Sequence, residues 1–217
     1  MKLALFLLAL GASPCTGTDL PFRVEIDYSA APECKAFAIK AEAIVKEWYP
    51  KLNTALFSAD HPLPTPIVRL TFEPMKGVAH ATTDGIHISA EWVTKKSPND
   101  YGMVVHELTH IVQNYKGKGE SWLTEGIADY ARHQYFEKDG DTLKSGVDPD
   151  KSSYQHAYTT AAAFLIWLEE HKDKQIVHRL NNASHDGTYS RALFQRYCGA
   201  DLDALWKEFT SSLRKKN

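Results

Sequence analysis

The chain has 217 residues, with 25 lysines and arginines against 27 aspartates and glutamates, for a formal net charge of −2 at pH 7. Its 43% hydrophobic content is enough for one sizeable core, and a near-neutral balance with no basic face argues against nucleic acid or an anionic membrane surface as a partner. The closing Arg214-Lys215-Lys216 reads as a solvated tail.

Met1-Lys2 precedes a short aliphatic run, Leu3 to Ala12, broken by Gly11, Ser13 and Pro14. A basic start followed by an apolar centre too short to span a bilayer reads as a secretory signal peptide over residues 1–17. The expectation is therefore a secreted or periplasmic protein whose single domain occupies residues 18–217 and acts as a monomer. Cys15 raises the question of a lipid anchor, but Pro14 directly before it makes a poor lipidation signal. No later stretch is long and apolar enough for a transmembrane segment. Cys34 and Cys198 remain after processing, either as a disulfide joining the N-terminal helix to the C-terminal region or as two buried free thiols.

Phe22 to Tyr28 alternates apolar and polar residues, the pattern of a half-buried strand. Phe37, Ala41, Ile44, Val45, Trp48, Leu52 and Leu56 recur at three-to-four spacing, which predicts an amphipathic helix over 31–57, kinked or ended by Pro50. A proline-rich loop, residues 61–66, leads to a second strand at 67–72. Val78 to Val93 shows strand pattern on both sides of an Asp84-Gly85 turn, with His80 and His87 read as polar strand residues.

From Tyr101 to Tyr115 the apolar residues form one stripe at helical spacing, with Ser97 to Asp100 offering N-caps and Gly117 and Gly119 a stop. This predicted helix carries His106-Glu107-Leu108-Thr109-His110, the HExxH pattern of zinc hydrolases. Histidines four apart share a helix face, so both imidazoles can reach one zinc ion, and the helical wheel turns them away from the apolar stripe. Glu107 is placed to act as general base on a zinc-activated water rather than to bind the metal. Fifteen residues past His110, Glu125 offers a third ligand, and Asp129 one turn later a carboxylate behind the ligands. Three protein ligands and an open position are the arrangement of a catalytic rather than a structural zinc.

Residues 140–153 read as a surface loop, Tyr154 to His171 as a strongly apolar helix, and 174–181, 188–198 and 201–213 as three shorter helices. Strands precede helices, so the class is α+β.

The HELTH segment, then Trp122 to Tyr130 (WLTEGIADY) and Arg132, resemble the basic secretory protein family, secreted zinc peptidases of plants and bacteria. The resemblance extends to Ile88–Trp92 upstream and to Tyr158–Leu165 and Leu202–Trp206 downstream, nearly the whole mature chain. Trp122-Leu-Thr-Glu-Gly126 is also similar to the third-ligand segment of gluzincin aminopeptidases. Together with the longer reach of its side chain, this favours Glu125 over Asp129 as the ligand, leaving Asp129 to accept a hydrogen bond from His106. The family's name is basic and this chain is slightly acidic, so no role follows from basicity. What the resemblance implies is a zincin-like fold: a small N-terminal twisted sheet whose edge strand runs beside the active-site helix, then a mainly helical C-terminal part. It also places Tyr158 at a fixed distance past the motif as a donor to the reaction's oxyanion, with His156 as second choice. If the strand ending at Trp92 is the sheet edge, it would hold an extended peptide by backbone hydrogen bonds.

The functional expectation is a secreted zinc metallopeptidase acting on peptides or proteins. The alternatives are a catalytically weak peptide- or cell-wall-binding protein with a structural zinc, and an amidase or aminopeptidase. An intact Glu107 speaks against the first, since a structural site has no use for a base beside the metal. The lack of a GxMxN-type anchor speaks against an aminopeptidase.

Overall fold

The computed structural model describes residues 20–117 and 119–214; the leader and Cys15 lie outside them. Among these residues, β1 (Arg23–Asp27), β2 (Ile67–Glu73), β3 (Ala79–Thr82) and β4 (Gly85–Ser89) form a sheet in the order β1-β2-β4-β3. β1 pairs parallel with β2 through Ile26↔Leu70, and β2 parallel with β4 through Leu70↔Ile86. β3 returns antiparallel on β4 through His80↔His87. The sheet has one apolar face because burial follows the pleat: Val68, Leu70 and Phe72 of β2 and Ile86 and Ile88 of β4 are all buried.

The parallel β1–β2 pair needs a crossover, and α1 (Lys35–Leu56) supplies it. Its Phe37, Ala38, Ala41, Val45, Tyr49, Leu52 and Leu56 are buried at the spacing the sequence predicts. Pro50 does not end it. The lost backbone bond costs about 3 kcal/mol or more in a helix interior, and tertiary anchoring of the last turns offsets it. The Tyr49 hydroxyl donates to the Thr65 carbonyl at 3.1 Å and accepts from the Thr65 amide at 3.0 Å, while Asn53 Nδ2 donates to the His61 carbonyl at 2.7 Å.

The rest is helical: α2 (Gly102–Gln113), α3 (Ser121–Tyr130), α4 (Gly140–Gly146), α5 (Tyr158–His171), α6 (Ile176–His185), α7 (Ala192–Cys198) and α8 (Leu202–Arg214). An α+β protein with a small sheet followed by a mostly helical remainder is what the sequence pattern predicts. Several details differ. The second hairpin strand stops at Ser89, and Trp92–Lys96 is a π-helical turn rather than strand. β3, not the strand leading to Trp92, is therefore the sheet edge next to α2; β4 is internal. α2 ends at Gln113 because Asn114 turns left-handed (φ 38°), two residues before the predicted end. The predicted loop at 140–153 opens with α4. The predicted helix from Tyr154 is split: a short 3-10 turn, Tyr154–His156, is separated from α5 by left-handed backbone at Ala157 (φ 60°) and Tyr158 (φ 48°). Cys34 and Cys198 are both free thiols, the former buried in the core. No helix among the described residues is long and apolar enough to cross a membrane.

α3 lies directly on α5. A Cβ at Gly126 would sit 2.7 Å from the Ala161 Cβ and 3.4 Å from Leu165 Cδ1, so glycine is what lets the two helices approach. Gly126→Ala should gain about 1 kcal/mol of helix propensity and lose about 1–3 kcal/mol to overpacking. A lowered urea midpoint is the expected result, whereas an unchanged or raised midpoint would show that the helices separate without loss.

Candidate active site

α2 is buried on all sides: every residue from Gly102 to Thr109 is inaccessible or nearly so, the polar His106 (8% exposed), Glu107 (7%) and Thr109 (0%) included. The helical wheel predicts a two-faced helix with its histidines turned from the packing side. In the fold α1 packs on one side of it, and on the other, enclosed by β3 and α3, the polar face lines a cavity of about 580 Å³ bounded by β3, α2, α3 and Tyr158. Buried polar groups persist only when their hydrogen bonds are supplied, so the partners of each side chain define the site.

His106 Nδ1 lies 2.6 Å from Asp129 Oδ1. His110 Nδ1 lies 2.7 Å from Gln113 Oε1, one turn on along α2, and Gln113 Nε2 donates to the Thr124 carbonyl of α3 at 3.0 Å. Both rings thus donate through Nδ1 to an oxygen, which leaves each Nε2 as an acceptor. These two Nε2 atoms are 3.2 Å apart, and Glu125 Oε2 lies 3.3 Å from the first and 3.4 Å from the second. Three acceptors facing one another at such distances need a cation among them. Metal–ligand bonds of about 2.0–2.1 Å at the tetrahedral angle give ligand–ligand edges of about 3.3 Å, so His106, His110 and Glu125 fit one tetrahedral divalent ion with a vertex to spare.

Around this triad, Glu107 faces the same cavity without joining the triad, and the nearby backbone of Ala81 in β3 favours its charged form. Burial pushes the Glu107 carboxyl above the ordinary range, against the pull of His106 and His110. Tyr158 stands at the cavity mouth, 54% exposed, its ring 6.2 Å from that of His106 and inclined by 20°. The charge of Glu125 is the main cause of a raised pKa for its hydroxyl. His156 has no place here: its Nδ1 accepts from the Ser153 amide as part of the cap on the 3-10 turn. His87 sits on the open face of the sheet with Nδ1 2.8 Å from Glu73 Oε1, stacked on His80, which reaches the cavity rim.

The sequence therefore points to residues that the fold gathers: His106, Glu107, His110, Glu125, Asp129 and Tyr158 all line one cavity. It missed Gln113. The signal was available, because i,i+3 spacing from His110 puts the two side chains on one helix face.

An α+β chain with a helix-borne histidine pair, a convergent carboxylate and a separate buried carboxylate in one cavity is of a hydrolase-like class. The sequence model of the family described as "Peptidase of plants and bacteria" (BSP) matches residues 25–209, and the chain belongs to that family. No curated protein matches it. Among solved structures, it is similar to a mutant of a two-domain M1 zinc metallopeptidase bound to L-tryptophan, at 16% identity and a TM-score of 0.48. That match covers 77% of this chain, which spans 42% of the other.

Without a metal ion among these acceptors, a proton must serve. Burial alone would depress the His106 pKa, but the Asp129 hydrogen bond, followed by that of Glu125, lifts it to about 9 from 6.5. For Glu125, burial works upward and the two histidines outweigh it, bringing it to about 2 from 4.5. A histidine with a raised folded pKa stabilises fully below its unfolded value and loses that contribution as pH rises to the folded one; a depressed carboxylate stabilises above its unfolded value and loses it as pH falls. Chelator-treated protein should therefore be most stable between about pH 4.5 and 6.5 and lose stability toward pH 9. Urea midpoints that stay flat or rise over pH 6.5–9 would contradict the proton-bridged site.

Proposed function

We propose that this chain is a secreted zinc-dependent endopeptidase of the HExxH type, with His106, His110 and Glu125 as zinc ligands, and with a zincin-like arrangement of edge strand and active-site helix. The observation that carries the reading is the near-equilateral triangle of acceptors, 3.2, 3.3 and 3.4 Å on its edges, with an uncommitted carboxylate beside it. Zinc at that position supplies Lewis-acid polarisation of the scissile carbonyl and acidifies the attacking water.

The remaining chemistry belongs to the chain's own groups. Glu107 takes the proton of the attacking water and returns it to the departing amine, and its raised pKa brings it closer to the range where both transfers are efficient. The Tyr158 hydroxyl, on an exposed side chain over the cavity, donates to the oxygen that gains charge as the carbonyl is attacked. Asp129 and Gln113 hold the imidazoles in the tautomer that presents Nε2 inward. β3 has no strand on its outer side among the described residues, so an extended peptide can pair along it. That feature favours a peptide over a small ester or amide.

Glu107→Gln should keep a full complement of zinc and lose at least about a hundredfold in turnover on peptides; near-normal hydrolysis would sink the mechanism. Glu125→Ala should largely abolish zinc binding, and Asp129→Ala and Gln113→Ala should each weaken it by about ten- to a hundredfold. The reverse order of affinities for Glu125→Ala and Asp129→Ala would make Asp129 the ligand. Tyr158→Phe should lower kcat with little change in KM. An unchanged kcat would remove Tyr158 from the machinery.

A further inference from the structure

Directly after α3 the chain does not simply continue as α-helix. Ala131–Glu137 is a π-helical turn, Lys138 is left-handed (φ 59°), and the Asp139 amide donates back to the His133 carbonyl at 3.1 Å. This hook brings three side chains to one point. His133 Nδ1 lies 3.0 Å from Glu137 Oε2 and 2.8 Å from Asp139 Oδ1, and the three donor atoms fall within 4.8 Å of one another. The His133 side chain is only 10% exposed, whereas that of Asp139 is 42% exposed, so the point is seated in protein on one side and open to water on the other.

From these features we infer that His133, Glu137 and Asp139 form a second divalent-cation site, taking zinc or a similar borderline metal. The inference stands apart from the peptidase reading, because no residue is shared with the first triad.

Three observations carry it. The first is a mismatch of donors: one ring nitrogen carries at most one proton, yet two carboxylates converge on it. A metal bound at Nδ1 answers both oxygens at once. The second is that Asp139 forgoes its ordinary use. It stands at the N-cap of α4, where an aspartate normally accepts from the first-turn amides, but its side chain makes no capping bond and turns to His133 instead. The third is charge. Arg132 spends its Nε and Nη2 on Glu137 Oε1 (3.0 and 2.9 Å) and its Nη2 also on Asp100 Oδ1 (2.9 Å). The other Glu137 oxygen is left for the cluster. Three carboxylates against one guanidinium leave two negative charges, which a divalent ion beside a neutral imidazole cancels and a single proton only halves. Lys138, between two of the ligands, is exposed.

The role such an ion would serve is structural. Glu137 and Arg132 pack over Gly102, where a Cβ would collide with Glu137 Oε1, and Asp100 accepts from the Met103 amide at the start of α2. Metal in the hook would thus pin the far end of α3 against the first turn of the helix that carries His106 and His110.

The test is a metal count on the full chain, stripped with chelator, re-equilibrated with zinc in modest excess and desalted. About two zinc ions per chain are expected for the native sequence and about one for His133→Ala, Asp139→Asn or Glu125→Ala, each of which removes one site. Asp139→Asn keeps the side-chain shape at a half-exposed position, which guards against a variant that merely fails to fold. In a Glu125→Ala background, added zinc should still raise the melting temperature, and Asp139→Asn should remove that rise. A native count of one, lost with Glu125→Ala and untouched by His133→Ala, overturns the second site and leaves the peptidase reading intact. A count of two that survives both His133→Ala and Asp139→Asn also overturns it. One ion lost with His133→Ala but retained in Glu125→Ala would support the hook and remove the zinc ligands proposed for catalysis.

Discussion

The 2.6 Å contact between His106 Nδ1 and Asp129 Oδ1 is the constraint on which the rest of the site depends. It is made between two helices that meet only because both are buried, and it fixes the rotation of each about its own axis. α3 cannot turn without withdrawing Asp129, and turning would also swing Glu125, one helical turn earlier, away from the histidines. The same helix is held on an adjacent face by the Gly126–Ala161 approach to α5, and α5 begins at Tyr158. One buried hydrogen bond and one missing methyl group therefore set the positions of the histidine pair, the third carboxylate and the tyrosine relative to one another. Partners this far inside are worth more than their surface equivalents, because a buried group that loses its partner is left with the whole cost of its desolvation.

How much of this was legible beforehand varies with the range of the interaction involved. HExxH, the Glu125–Asp129 spacing and the apolar stripe of α2 are local patterns, and the fold assembles them as the spacing implies. The hairpin at Asp84-Gly85 was equally plain. The misreadings all turn on tertiary contacts. Pro50 left open whether the helix bends or stops there, and it runs on to Leu56 because Tyr49 and Asn53 are tied to the loop beyond it. Tyr154 to His171 is apolar enough to read as one helix, and nothing local announces left-handed backbone at Ala157 and Tyr158, neither of which is glycine. The edge strand could not be named from the sequence because strand order is a property of the whole sheet. Pairing of Cys34 with Cys198 likewise depends on the whole fold, which leaves the two cysteines unbridged.

The helical wheel placed the histidines of α2 opposite its apolar stripe but could not show what covers that polar face. A wheel assumes one packed face and one open to solvent, but here β3 and α3 close over the polar face, and its groups are bonded within a network of their own. Thr109 is satisfied by the Val105 carbonyl, His110 by Gln113, and Gln113 by α3. Such a helix tolerates little substitution on any side, since each position either packs against a neighbour or completes a hydrogen bond.

β3 is the shortest strand of the sheet, four residues, and it ends at a turn. A strand whose outer edge stays open for an incoming chain is open to any chain, another copy of this protein included. Length is what limits that hazard. Four residues offer too few backbone bonds to hold a second sheet by themselves, and the exposed His80 and Thr82 make the outer surface polar rather than adhesive. A short, polar edge beside the cavity thus offers little to a second copy, provided that nothing lengthens the strand or makes it apolar. A strand extended past Thr82 or carrying valine at 80 and 82 would gain a docking edge and, by the same change, a seed for self-association.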